Sequence, residues 1–501
     1  MGSNVRRPTC RGRGGTPENA TAPPLSSRPL VPQEDWVAEE FGAVKLGDQR
    51  LARRLATLAK DMFARPDQSI PCACQGDWKR TKAAYRFFAN DKVNLAAELR
   101  AHTAVSTERV AGQSLVLAVN DTTALDYSHH PATSGLGTTG NSAEAATGLL
   151  LHSTLAVNEQ GVALGLLDVQ CWARSAEQFG KRPRRDELPI QQKESFKWLK
   201  SYQAVAAVQA CAPQTKLVVV GDRESDLYEL FALATHQIEA HGGPHLLVRA
   251  RQNRRVDSEA KRLWAHLEAR RVAGTVTVNM PARQGRVPRQ ASVELHWAEV
   301  TLRPPEAMSG APSVTLWAVL ARARRAPKGV EPLEWLLLST VAIRNLEEAC
   351  QRLRWYGLRW QIEVFHRVLK NGCAVEARQL QTREQLERCL GLYLVVAWRL
   401  LLLTRLGRER PQLSCTVVFD EYEWKALYCY SHQTKQLPPQ PPPLGEAVQM
   451  VGKLGGHLGR RSDGPPGTQS LWTGLQRLAD LAAMWQVLTD TDKARRRPRC
   501  G

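Results

Sequence analysis

Two short runs of apolar residues, each closing on an aspartate, narrow the possible folds more than any other feature of this chain. Leu115-Val-Leu-Ala-Val119 and Lys216-Leu-Val-Val-Val220 show no polar alternation. Both faces of such strands are expected to be covered, as in the centre of an α/β sheet. The first run ends at Asn120-Asp121-Thr122-Thr123 and the second at Gly221-Asp222-Arg223-Glu224. Between them, Leu149 to Val157 and Val162 to Trp172 read as strands joined by the turn Asn158 to Gly161, which makes a three-stranded meander. A helix over about Lys193 to Ala210 leads into the second run. A helix from Ser225 to Ala234 follows it and precedes a strand at His245 to Arg249. The segments Thr275 to Met280, Ser292 to Leu302, Ser313 to Arg322 and Trp335 to Thr340 are β-rich and are expected to form an extra sheet inserted before a late helix. The order meander, helix, strand, helix, strand, late helix is an α/β arrangement whose strand ends build the site.

The late helix is Tyr356-Gly-Leu-Arg359-Trp-Gln-Ile-Glu363-Val-Phe-His-Arg-Val-Leu-Lys370. Trp355, Ile362, Phe365 and Leu369 supply an apolar arc at helical spacing. With Tyr356 at zero and about 100° per residue, Arg359 falls at about 300°, Glu363 at about 340° and Lys370 at about 320°. One continuous helix therefore places these four polar side chains on a single stripe. A carboxylate between two cations and a phenol suits a metal ion beside a phosphate backbone, and it also suits a solvated face with i,i+4 ion pairs.

Asp121 and Asp222 follow strands, and Glu363 arrives on the late helix. An aspartate in that position can be a turn former or a helix cap. Carboxylates from three separate elements, without His or Cys at ligand spacing, instead favour hard cations with oxygen ligands, Mg²⁺ or Mn²⁺. Two such ions about 4 Å apart drive in-line displacement at phosphorus. No G-x-x-x-x-G-K-[ST], H-E-x-x-H or G-x-S-x-G sequence occurs, which removes the common nucleotide-loop, zinc-protease and serine-hydrolase readings.

The formal charge of +19 and pI of about 9.7 point to a polyanionic partner, nucleic acid before membrane. Eleven cysteines, an odd number with scattered spacing, argue against a disulfide framework and for a reducing interior. Residues 1–34 are basic, rich in Pro, Gly and Ser, and lack the apolar core of a signal peptide; they are expected to be disordered. The most apolar stretch, Leu390 to Leu403, is interrupted by Arg399 and reads as a buried helix, so no membrane association is expected. Residues 36–110 are helical in pattern. Leu51, Leu55 and Leu58 mark one face, and a second helix near Trp78 to Ala89 carries Lys79, Arg80, Lys82 and Arg86. After Cys373 the chain is helical again, with Pro438 to Pro443 as a stiff linker.

Together these stretches resemble bacterial cut-and-paste transposases of the DDE class, in the hairpin-forming group typified by the kanamycin-resistance composite transposon. The resemblance rests on Asn120 to Tyr127, Gly221 to Asp226, Glu334 to Leu338 and the Tyr-x₂-Arg-x₃-Glu-x₆-Lys signature from Tyr356 to Lys370. It extends through Phe41 to Asp48, Ala84 to Phe88, Lys193 to Ser195 and Lys453 to Gly456 on through Trp472, covering about residues 36–490. It implies an RNase H-like catalytic core over 111–372, with a β insertion at about 251–343. It further implies a helical DNA-end-binding domain at 35–110 and a helical dimerisation domain at 373–501.

By the same resemblance, Asp121, Asp222 and Glu363 are the catalytic and metal-binding triad. Mg²⁺, replaceable by Mn²⁺ and numbering two per site, is the implied cofactor. Tyr356, Arg359 and Lys370 are implied to hold the DNA backbone beside the flipped base of a hairpin, with Trp335 stacking on that base. Residues read alone make Trp335 a core side chain, since Leu336 to Leu338 follow it. Arg223, Arg249, Arg251, Arg254 and Arg367 are candidate phosphate contacts. The implied partners are double-stranded DNA, as transposon ends and target, and a second copy of the chain in the synaptic complex. The implied location is the bacterial cytoplasm, on DNA. The competing readings are a domesticated DNA binder that does not cut, a metal-dependent nuclease without strand transfer, and a non-enzymatic scaffold.

Overall fold

The computed structural model describes residues 35–140, 146–175, 188–280, 289–324, 332–460 and 463–496. The expected basic extension at 1–34 lies outside them. Five helices open the chain: α1 (Trp36–Phe41), α2 (Gln49–Ala64), α3 (Ile70–Ala73), α4 (Trp78–Phe88) and α5 (Leu95–Ala111). Each begins on a side chain that accepts from the first turn, namely Asp35, Asp48, Ser69, Asp77 and Asn94. The chain then enters β1 (Leu115–Asp126), the two-residue β2 (Gly137–Thr138), β3 (Thr147–Asn158) and β4 (Ala163–Trp172). Next come α6 (Phe196–Cys211), β5 (Lys216–Gly221), α7 (Tyr228–His241), β6 (His245–Arg249) and α8 (Leu263–Glu268).

The β-rich block forms β7 (Gly274–Met280), β8 (Arg289–Leu302), β9 (Val314–Ala323) and β10 (Glu334–Ser339). It is not a separate sheet. β10 pairs antiparallel with β6 through Leu337↔Arg249 and Ser339↔Leu247, so the block extends the central sheet in the order β2-β3-β1-β5-β6-β10-β9-β8-β7, with β4 also along β3. Pairing removes the open edge that β6 would otherwise leave beside a hydrophobic core.

The all-apolar runs are covered on both faces. Val116, Ala118, Leu217, Val219 and Val248 pack with Trp198 and Tyr202 of α6 and Phe231 of α7. Leu117, Val119, Val218, Val220 and Leu247 face the other way, toward α9 (Leu346–Leu358) and α10 (Trp360–Arg367). The helical end comprises α11 (Arg383–Glu409), α12 (Glu421–His432), α13 (Leu444–Leu454) and α14 (Thr468–Arg496). By length and hydropathy α11 could cross a membrane, but 94% of its apolar window is buried inside the protein, as the Arg399 interruption suggested. The Arg399 guanidinium lies 4.6 Å from the Trp36 ring and 5.3 Å from Phe63, so the cation is held on aromatic faces. The proline-rich segment is pinned rather than free, since Cys415 donates its N–H to Pro442 at 2.9 Å.

A buried polar chain ties the first helices to the sheet. His102 donates from Nδ1 to Glu40 at 2.5 Å and accepts the Leu166 N–H on Nε2 at 3.0 Å, which sets its tautomer. Arg109 pairs with Glu40 and with Glu39 and reaches the Leu164 carbonyl, while Trp398 Nε1 donates to Ala163. Between those anchors Gly165 sits at φ +151°, where an added Cβ would lie 1.8 Å from Ser106 Oγ. Gly165→Ala is therefore expected to destabilise the fold by on the order of 3 kcal/mol, visible as a lower Tm, with the loss concentrated where α5 crosses β4.

Candidate active site

The register of two parallel strands brings the aspartates together. β1 and β5 pair from Leu115↔Lys216 through Val119↔Val220, so Asp121 and Asp222 occupy equivalent positions just beyond the last pair. Asp121 is not past the end of its strand. β1 continues to Asp126 because its other edge stays paired with β3, where Asp121 faces Ser153. Residues alternate across a sheet, so Asp121 lies on the same face as Val119, and Asp222 on that of Val220. Arg249, paired with Leu337, and Trp335, two residues before Leu337, share that face, which α9 and α10 cover.

The late helix departs from the expected single rod. α9 ends at Leu358, Arg359 forms a tight turn, and α10 runs to Arg367 before a wider π turn over Val368–Gly372. These changes of pitch shift the phase of the polar stripe. Arg359 and Glu363 face the aspartates: Arg359 Nη1 donates to Asp121 Oδ2 at 3.3 Å, and Nη2 pairs with Glu363 Oε1. Lys370 is turned away to Glu376, at 3.2 Å, and Glu376 in turn accepts the Asp126 N–H. Tyr356 is buried, its ring set edge-on to Trp335 at 5.2 Å and 69°. Trp335 is half-buried against the core, between the two expectations.

The remaining cations divide sharply. Arg223 and Arg367 are exposed, and Arg249 is half-buried, donating to the Glu334 carbonyl at 2.9 Å. Burial and the neighbouring Arg223 and Arg359 hold Arg249 below the usual arginine range, against the pull of Tyr356. Arg254 is turned inward to Asp226, away from the surface on which a phosphate contact was expected. It is buried, binding Asp226 Oδ1 through Nε and Nη2, while Asp226 Oδ2 accepts from the backbone of Arg251 and Gln252. Its Nε and Nη2 donors are thus taken up by Asp226, in a pair whose separation would leave a buried charge without its counter-ion.

Sequence reasoning missed the brace behind Asp222. Asp222 Oδ1 accepts from the Glu224 N–H at 2.9 Å, and Glu224 meets Lys197 at 3.5 Å. Lys197 is buried beside Trp172 and Trp198. Its neighbour Glu194 takes a two-pronged contact from Arg174 at 2.7 and 2.9 Å. The Lys193 to Ser195 stretch carried that signal without its meaning.

Burial raises the Asp121 carboxyl to about 6, helped by Asp222 and Glu363 and opposed by Arg359 and the Thr122 N–H. Against burial, Tyr356 first and then the three carboxylates hold Arg359 above its ordinary range. The donor set is all oxygen, of the kind hard divalent cations take. Among the described residues, however, no three carboxylate, His or Cys groups already stand in a metal-holding arrangement. The cation between Asp121 and Glu363 is Arg359.

With its folded value raised from 3.8 to about 6, Asp121 favours the fold while protonated, and that contribution is lost as pH rises through about 6. In EDTA, Asp121→Asn should raise Tm at pH 8 by roughly 1–3 °C and leave it unchanged below pH 4, by thermal melts across pH.

Two sequence-family models match the chain. One, described as transposase DNA-binding, matches residues 33–93, which include α1 to α4. The other, described as the transposase Tn5 dimerisation domain, matches residues 395–486, from within α11 into α14. The matches lie at opposite ends of the chain, on either side of the sheet that carries the carboxylates, and support a Tn5-like transposase family.

Proposed function

We propose that this protein is a DNA transposase that excises a mobile element through a hairpin intermediate and joins its ends to target DNA. The observation that carries the reading is the convergence of Asp121, Asp222 and Glu363 from two parallel strands and a covering helix. The strand order β4-β3-β1-β5-β6, an antiparallel meander followed by strands parallel to β1, suits the RNase H-like core that the sequence resemblance implies. The three carboxylates would hold Mg²⁺, or Mn²⁺ in its place. Two bound ions would supply an activated water or 3′-hydroxyl and stabilise the leaving oxygen.

The chain's own residues perform the positioning. Arg223 and Arg367, both exposed, and Arg249 and Arg359 within the cleft offer guanidinium groups to successive phosphates. Trp335, half-buried on the same sheet face, would take an extruded base, with Tyr356 fixing its ring from the edge. The helices of residues 35–110 would read the element's end. Met484 and Leu488 are exposed on α14 and suit burial against a second copy. The protein would act on DNA in the bacterial cytoplasm.

Incubating a supercoiled plasmid that carries the element's own ends with protein and Mg²⁺ should yield nicks and hairpin ends on denaturing gels. Glu363→Gln should abolish both by roughly 10³-fold or more while end binding persists. End binding without cleavage by the unaltered protein, in Mg²⁺ and in Mn²⁺, would instead identify a domesticated binder. Trp335→Ala should leave first-strand nicking within about threefold and slow hairpin formation by roughly tenfold or more, as expected when one base loses its stacking partner.

A further inference from the structure

Arg359 stands where a divalent cation would have to enter. Its guanidinium spans two carboxylates from different elements, Asp121 on β1 and Glu363 on α10, with only 12% of the side chain exposed. It is the stand-in cation of a donor set that, as it stands, holds no three ligands in a metal-binding arrangement among the described residues. A guanidinium and a dication sharing the same oxygens repel one another, so they are alternative occupants.

The backbone gives this side chain a pivot. Arg359 lies between α9 and α10, donating its N–H to Tyr356 O and accepting from Ile362 N, each at 3.1 Å, in turns tighter than the α-helical pattern. The Tyr356 ring lies 5.9 Å from the guanidinium. Arg249 and the exposed Arg223 surround the opening with positive charge, so an incoming phosphodiester gains by recruiting a further guanidinium and relieves their mutual repulsion.

We propose that Arg359 is a resident counter-ion that closes the carboxylate site to metal until a DNA phosphate draws its guanidinium away, so that metal loading waits for DNA. This rests on the transposase reading of the same site and adds its order of assembly. Metal and DNA then bind with positive coupling, each favouring the state in which Arg359 has moved. Free DNA-less protein is left without a loaded hydrolytic centre.

The test is Mn²⁺ binding, followed by electron paramagnetic resonance of free Mn²⁺ without turnover. Without DNA, Arg359→Met should bind Mn²⁺ about tenfold tighter or more than the unaltered protein, within the usual range of such couplings. Arg359→Lys, which keeps the charge, should stay close to the unaltered protein. A duplex carrying the element's end, corrected for Mn²⁺ bound to DNA alone, should tighten the unaltered protein toward the Arg359→Met value. Arg359→Met binding no tighter, with DNA leaving the unaltered protein unchanged, overturns the proposal. Should Arg359→Met fail to fold by circular dichroism, the DNA comparison decides alone. Glu363→Gln combined with Arg359→Met should lose the tight Mn²⁺. Tight binding that survives Glu363→Gln overturns the carboxylate-site reading itself, and the proposal with it.

Discussion

The parallel register between β1 and β5 is the constraint on which the rest of this structure depends. With Val119 opposite Val220, the next two steps along each strand bring Asp121 and Asp222 side by side on one face. A slip of one residue would send one carboxylate to the opposite face, beneath α6 and α7. The long apolar runs that hold this register also place the carboxylates at the edge of a dry core. Charge there must be neutralised or displaced, and the half-buried pairing of Arg359 with Asp121 and Glu363 does that.

The cost of holding a polar site on a buried sheet is visible around it. Asn120 Oδ1, His152 Nε2, Ser153 Oγ, Thr154 Oγ1 and His366 Nε2 are buried and lack hydrogen-bond partners. They sit within a few residues of Asp121 or Glu363 in sequence, or across the β1–β3 ladder from Asp121. His152 bonds Thr122 through Nδ1 at 2.9 Å and packs on Trp198, and burial pushes it down to about 3, so it stays neutral on the sheet face opposite Asp121.

The helices at both ends of the chain are fastened to the same sheet. His102 and Arg109, both held by Glu40, bond the start of β4 through side chains, and Trp398 of α11, packed against both, bonds it at Ala163. Arg399, stacked on Trp36 and Phe63, joins the opening helices to α11 directly. Residues matched to a DNA-binding family and residues matched to a dimerisation family therefore meet within one core. A displacement at either end would reach β4, and through β3 the strand that carries Asp121.

What the sequence determined by itself was local and periodic. The apolar runs at 115–119 and 216–220, the meander, the Asn158–Gly161 turn and the buried character of the Arg399 helix were all legible, because strand and helix periods are written in neighbouring residues. The aspartates and Glu363 were legible as candidates for the same reason: each follows or sits on such an element. Tertiary structure decided the rest. It joined β7–β10 to the central sheet, because an unpaired β6 edge had to be covered and no residue pattern names its partner strand. It broke the Tyr356 helix at Arg359 and widened it after Val368, so Lys370 met Glu376 while Arg359 met the carboxylates. It also buried Arg254 on Asp226 and braced Asp222 through Glu224 and Lys197. Each of these depends on which charges come within a few ångströms after folding, and Coulomb energies in a partly buried cleft are set by distance and desolvation rather than by position along the chain.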